Sequence, residues 1–119
     1  MKLNHINLVV SNVKEAIYLF ETYFNFKCTD IKGDNIVAVL KGADDFILVI
    51  MANKDGAPAY PSAFHIGFMQ NSMDAVNELY HKLKTGGITV GDEPRKIRDS
   101  FGFYFNFENI MIEVGYYYL

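Results

Sequence analysis

The feature that most constrains this chain is an internal repeat. Asn4-His5-Ile6-Asn7-Leu8-Val9 returns in the second half as Phe64-His65-Ile66-Gly67-Phe68-Met69, with a histidine at the same place in both phrases. Each phrase alternates as a half-buried strand does. Each then runs into a capped amphipathic segment, Ser11-Asn12-Val13-Lys14-Glu15-Ala16 in the first half and Gln70-Asn71-Ser72-Met73-Asp74-Ala75 in the second. A duplicated strand–helix opening predicts two copies of one supersecondary unit. Neither copy is large enough to bury a sheet well by itself.

The remaining elements follow in the same order in both halves. Leu3 to Val10 reads as a strand, and Asn12 with Glu15 three residues on reads as a helix N-terminus. A helix from Val13 to about Phe24 places Ala16, Ile17, Phe20, Tyr23 and Phe24 on one stripe. Strands at Phe26–Lys32, Ile36–Lys41 and Phe46–Met51 are separated by the turns Gly33-Asp34-Asn35 and Gly42-Ala43-Asp44-Asp45. Residues 53–62, with Gly56, Pro58 and Pro61, lack periodicity and read as a linker. In the second half, Ala63–Met69 is a strand, and Ser72 caps a helix from Met73 to about Thr85 whose stripe is Met73, Val76, Leu79, Tyr80 and Leu83. Gly86-Gly87 ends that helix. Ile88–Val90 is predicted as a short strand and Gly91–Ser100 as a polar, charged loop. Phe101–Phe107 and Ile110–Tyr116 close the chain around a tight Glu108-Asn109 turn in which Asn109 can take positive φ. The expected fold is α+β, a βαβββ unit followed by a second βαβββ unit. They form one curved mixed sheet with a concave cup and the helices on the outer face. Repeat one covers about 1–52 and repeat two 63–119, within a single domain by the length prior.

Composition excludes several function classes. With 11 Lys plus Arg against 14 Asp plus Glu, the net charge is −3 and no basic cluster offers a nucleic-acid surface. No apolar run approaches the ~20 residues that span a bilayer, and no secretory leader is visible, so a cytoplasmic protein without membrane contact is expected. The single Cys28 excludes an intrachain disulfide and a cysteine zinc cluster, and reads as a small apolar filler. Ten Phe and eight Tyr exceed what a minimal core needs, so some are expected to line a pocket or an interface.

Strand parity sharpens the repeat into chemistry. Ile6, Ile66 and Ile112 should face the helices, which turns His5, His65 and Glu113 to the cup. A polar group buried there without a partner costs ~1–3 kcal/mol. One divalent metal would satisfy all three residues at once. Two imidazoles and a carboxylate suit Fe, Mn, Co, Ni or Zn and leave positions open for substrate oxygens. Tyr104, on the same side of its strand as Gly102, can donate a hydrogen bond from the cup wall. A bland alternative fills the cup with Phe, Met and Tyr side chains and assigns no catalysis. His81, off the helix stripe beside Lys82, reads as a surface residue.

The chain resembles the vicinal oxygen chelate superfamily, which holds glyoxalase I, methylmalonyl-CoA epimerase, extradiol dioxygenases, fosfomycin-resistance enzymes and bleomycin-resistance proteins. Four stretches carry the resemblance: Leu3-Asn4-His5-Ile6, Phe64-His65-Ile66-Gly67-Phe68, Leu83 through Gly86-Gly87-Ile88, and Phe103-Tyr104-Phe105-Asn106 with Ile112-Glu113-Val114. It implies a homodimer and a metal held by His5, His65 and Glu113, with Glu113 and Tyr104 as the candidate catalytic residues. It also implies a small-molecule substrate that chelates the metal. One departure narrows this: Val49 stands where glyoxalase I and the epimerase carry Glu or Gln, and a valine neither binds metal nor moves a proton. Three ligands without the fourth are similar to the fosfomycin-resistance enzymes and extradiol dioxygenases, the former surrounding a phosphonate with basic residues. Lys96 and Arg98 are the local basic candidates. The alternative implied by the same resemblance is a metal-free dimeric binding protein of the bleomycin-resistance kind, sequestering a drug-like cation in an aromatic cleft.

Overall fold

The computed structural model describes residues 1–118. Its elements run β1 (His5–Val10), α1 (Val13–Tyr23), β2 (Lys27–Lys32), β3 (Val37–Lys41), a short 3-10 turn (Ala43–Asp45), β4 (Ile47–Ala52), β5 (His65–Met69), α2 (Met73–Thr85), β6 (Arg95–Ile97), β7 (Ser100–Phe107) and β8 (Ile110–Tyr117). The strands form two four-stranded mixed sheets, ordered β1-β4-β3-β2 and β5-β8-β7-β6. The single curved sheet expected from the repeat thus resolves into one four-stranded sheet per βαβββ copy. Residues up to Ala59 make one compact unit and those from Tyr60 another, so the division falls inside the Pro/Gly-bearing linker. No helix among the described residues is long and apolar enough to cross a membrane.

Both helices start where side-chain caps allow. Asn12 Oδ1 accepts from the Glu15 amide at 3.1 Å, and Ser72 Oγ accepts from the Ala75 amide at 3.1 Å. Each bond satisfies an otherwise orphaned N–H and is worth about 1 kcal/mol. In the first unit α1 buries Val13, Ala16, Leu19, Phe20 and Tyr23. On the sheet, Leu8, Val10, Ala38, Leu40, Leu48 and Ile50 are buried. In the second, Val76, Tyr80 and Leu83 of α2 are buried. The Tyr80 ring meets Phe103 edge-on at 5.2 Å, which places Phe103, and Val114 opposite it, on the helix side of that sheet. Met73, expected on the apolar stripe of α2, is instead exposed at the first position of the helix.

Two local expectations are corrected. Ile88–Val90 is not a strand. Ile88 N donates to the Leu83 carbonyl at 3.0 Å, closing the end of α2, and Val90 is buried as a core side chain. The second strand of the second unit is β6, taken from the charged stretch expected to be a loop. It pairs with β7 through Arg95↔Gly102, Lys96↔Phe101 and Ile97↔Ser100. Backbone pairing needs no apolar side chains at a sheet edge, so hydropathy gave no sign of it. In the Glu108-Asn109 turn it is Glu108, with φ 52°, and not Asn109, that takes the left-handed conformation. The two-residue link between paired Phe107 and Ile110 requires positive φ at its first position, whatever the residue there prefers.

Candidate functional site

The site assembles on the face of the second sheet opposite α2. Parallel pairing of β5 with β8 sets Gly67 opposite Glu113 and Met69 opposite Gly115, and antiparallel pairing of β7 with β8 sets Tyr104 opposite Glu113. Since partners in register point to the same face, Glu113 and Tyr104 share a face with His65, two residues before Gly67. These three, with Ile97, Arg98, Asp99, Ser100 and Tyr117, line a pocket of ≈ 490 Å³. Gly67 puts no side chain against Glu113, where a Cβ would be in van der Waals contact with Oε1 at 3.5 Å.

His65 is oriented from behind. Its Nδ1 lies 3.0 Å from the Ala63 carbonyl. A carbonyl only accepts, so Nδ1 carries a proton, and in the neutral form of the ring the lone pair is on Nε2. That lone pair faces Glu113 Oε1 at 3.5 Å. Two acceptors aimed at one another are satisfied by a proton on Nε2 or by a metal ion between them. The separation also fits: donors bonded at about 2.0–2.2 Å and subtending a near-tetrahedral angle lie about 3.5 Å apart. The His65 and Glu113 side chains are 44% and 17% exposed, so the pair is reachable from solvent but not dissolved in it. The donor set fits a divalent metal. Within this unit no third His, Cys, Asp or Glu among the described residues joins them.

His5 stands on β1 in the first unit, exposed, with Ile47 as its partner in register. It repeats the His65 device: Nδ1 lies 2.7 Å from Asn4 Oδ1, so Nδ1–H donates and the Nε2 lone pair is left to ligate a metal. Val49 registers with Asn7, two residues along from His5 on the same face of that sheet.

Tyr104 touches the same chemistry. Its ring meets His65 edge-on at 6.1 Å. Burial raises its pKa above the ordinary 10.0, and the Glu113 charge and a hydrogen bond with Glu113 raise it further, while Arg98 and Arg95 pull it down. The hydroxyl therefore stays protonated and is a donor. Ser100 Oγ is committed to the Ile97 carbonyl at 3.0 Å, which tightens the β6–β7 turn. Arg98, at that turn with φ 53°, lines the pocket. The sequence marked Arg98, with Lys96, as a local basic candidate in a loop. Its place beside Glu113 and Tyr104 depends on β6, which hydropathy could not reveal. His81 is exposed, and Cys28 is a free, half-buried thiol at a register shift in β2.

Comparison with known proteins agrees with this architecture. A possible glyoxalase from Bacillus cereus shares 36% identity over 96% of this chain and 97% of that one, with a TM-score of 0.81. The genomically encoded fosfomycin resistance protein FosX from Listeria monocytogenes shares the fold at 21% identity, covering 99% and 92% of the two chains with a TM-score of 0.76. A glyoxylase/bleomycin resistance protein/dioxygenase domain from Frankia sp. EAN1pec does so at 14% identity, 99% and 93% coverage and a TM-score of 0.83. No curated protein sequence matches the chain. The family model for the Glyoxalase/Bleomycin resistance protein/Dioxygenase superfamily matches residues 2–113, and the chain belongs to that superfamily.

Proposed function

We propose that this chain is a divalent-metal-dependent enzyme acting on a small, oxygen-rich, anionic substrate. The observation that carries this is the His65–Glu113 pair, with the lone pair of Nε2 held 3.5 Å from Oε1 by the bond from Nδ1 to Ala63. His5, with its own oriented Nε2, is the third donor that this reading calls for. When bound, the ion would polarise a chelated substrate oxygen and stabilise negative charge developing on it.

The chain's own residues do the rest. His65 and Glu113 would hold the ion, and their spacing is fixed because each is on a paired strand of one sheet. Tyr104, kept protonated by burial and by Glu113, donates a hydrogen bond toward whatever replaces solvent at the carboxylate. Arg98 brings a positive charge to the pocket rim, which favours a substrate carrying a phosphonate, phosphate or carboxylate. The fosfomycin resistance protein among the structural relatives is in keeping with such a substrate. Val49, at the strand position where isomerases of this superfamily carry a carboxylate or amide, gives no group for proton shuttling. A lyase, transferase or dioxygenase reaction is therefore favoured over glyoxalase I isomerisation.

The test is metal analysis of protein purified without chelator, followed by titration with Mn, Fe, Co, Ni and Zn. Binding of one ion per site, abolished in His65→Ala, is expected. Absence of any bound or titratable ion, with stabilisation by cationic drugs instead, would replace the proposal by metal-free ligand sequestration.

A further inference from the structure

The end of the linker is built against His65. Pro61 to Phe64 forms a turn in which the Phe64 amide donates to the Pro61 carbonyl at 2.9 Å. The Tyr60 ring stacks on Phe64, centroids 4.8 Å apart and planes 20° from parallel, so the residue before the turn is fastened to the residue that ends it. Ala63, inside this closed turn, is the residue whose carbonyl receives Nδ1 of His65. His65 opens β5, and its ring is 44% exposed on the side chain, so neighbouring side chains do not enclose it. The Tyr104 ring touches it edge-on from the sheet, and the one hydrogen bond that holds Nδ1 runs to the Ala63 carbonyl. The direction of that carbonyl depends on the turn, and the turn is clamped by an aromatic pair.

We infer that Tyr60 is a positioning residue for His65. By stacking on Phe64 it holds the Pro61–Phe64 turn in the shape that points the Ala63 carbonyl at Nδ1, which keeps the ring in the tautomer and direction that present Nε2 to Glu113. The inference rests on the reading of His65 as a metal donor and extends it: the last residues of the linker belong to the site. An unclamped turn rotates the carbonyl away, the ring then exchanges Nδ1–H and Nε2–H tautomers, and the ion loses a pre-oriented ligand. Outer partners that orient a ligand in this way typically contribute about 10–100-fold in metal affinity.

The experiment compares wild type, Tyr60→Ala, Tyr60→Phe and Phe64→Leu, with His5 as the internal control. Long-range nitrogen–proton NMR of the metal-free protein above the histidine titration range reads the tautomer of each ring. Calorimetric titration with zinc reads affinity. Wild type and Tyr60→Phe should show His65 protonated at Nδ1 alone. Tyr60→Ala and Phe64→Leu should both show mixed tautomers at His65, an unchanged His5 signal and a zinc affinity lower by about tenfold or more. An unchanged His65 tautomer in both variants overturns the inference, as does a loss that Tyr60→Phe fails to restore. Because the tautomer is read without metal, the two ideas fail separately. Wild-type protein that binds no zinc defeats the functional reading, while the NMR result still decides the role of Tyr60.

Discussion

His65 Nε2 and Glu113 Oε1 stand 3.5 Å apart across the neighbouring parallel strands β5 and β8, with Nδ1 of the same imidazole tied to a backbone carbonyl. Neither atom brings a proton to the other when the ring is neutral. The arrangement is stable as an imidazolium–carboxylate pair or with a metal ion between the two, and the tests below separate its parts.

Removing a donor should cost more than removing an outer partner. His65→Ala and Glu113→Ala are each expected to weaken divalent-metal binding by at least about 100-fold, beyond the roughly 10–100-fold typical of outer partners. Both residues are at least partly exposed, and thermal unfolding of the metal-free variants should stay close to wild type. Calorimetric metal titration alongside melting curves checks this.

Tyr104 makes a pH prediction with a definite sign. Burial foremost, then the Glu113 charge and hydrogen bond, hold its pKa above 10.0. Between the ordinary and raised values the unfolded chain has lost the phenolic proton and the folded chain has kept it. Unfolding then releases a proton, so this contribution is full below pH 10.0 and is lost as pH rises through the folded value. Tyr104→Phe should flatten that part of the alkaline decline in melting temperature. Glu113→Gln should bring the phenolate absorbance transition down toward the ordinary range, because the second and third causes of the shift are removed.

Arg98 is testable without disturbing the fold. Its backbone is left-handed, φ 53°, a conformation that asparagine tolerates. Arg98→Asn should therefore leave the melting temperature unchanged within error. It should weaken binding of a small phosphonate to the metal-loaded protein about tenfold, or about 1.4 kcal/mol. The salt dependence of that binding should also shrink, since one fixed charge has been removed.

Gly102 is held for a steric reason. A Cβ there would run into the Val114 carbonyl and come within 2.9 Å of Gly115 Cα, backbone atoms that cannot swing aside. Gly102→Ala should force β7 away from β8 and cost about 1–3 kcal/mol, read as a lower urea midpoint. Tyr104 lies two residues along β7, so the variant should also weaken the Tyr104–Glu113 contact and lower the phenol's pKa.

The repeat, the caps at Asn12 and Ser72, the apolar faces of β1, β4, β7 and β8, and the face on which Glu113 lies were all legible from residue order. Each depends on local periodicity: 3.6 for the helices and two for the strands. Parity alone put His65, Glu113 and Tyr104 on one side of their sheet, because a strand has only two sides. What only the tertiary structure decided lies where pairing is made by backbone. Strand β6 came from a polar stretch because an edge strand needs hydrogen bonds, not hydrophobic side chains. That hairpin is what brings Arg98 to the pocket. The Ala63 carbonyl and the Tyr60–Phe64 stack were equally invisible, since which lone pair a histidine presents is set here by a backbone acceptor, which every residue type carries.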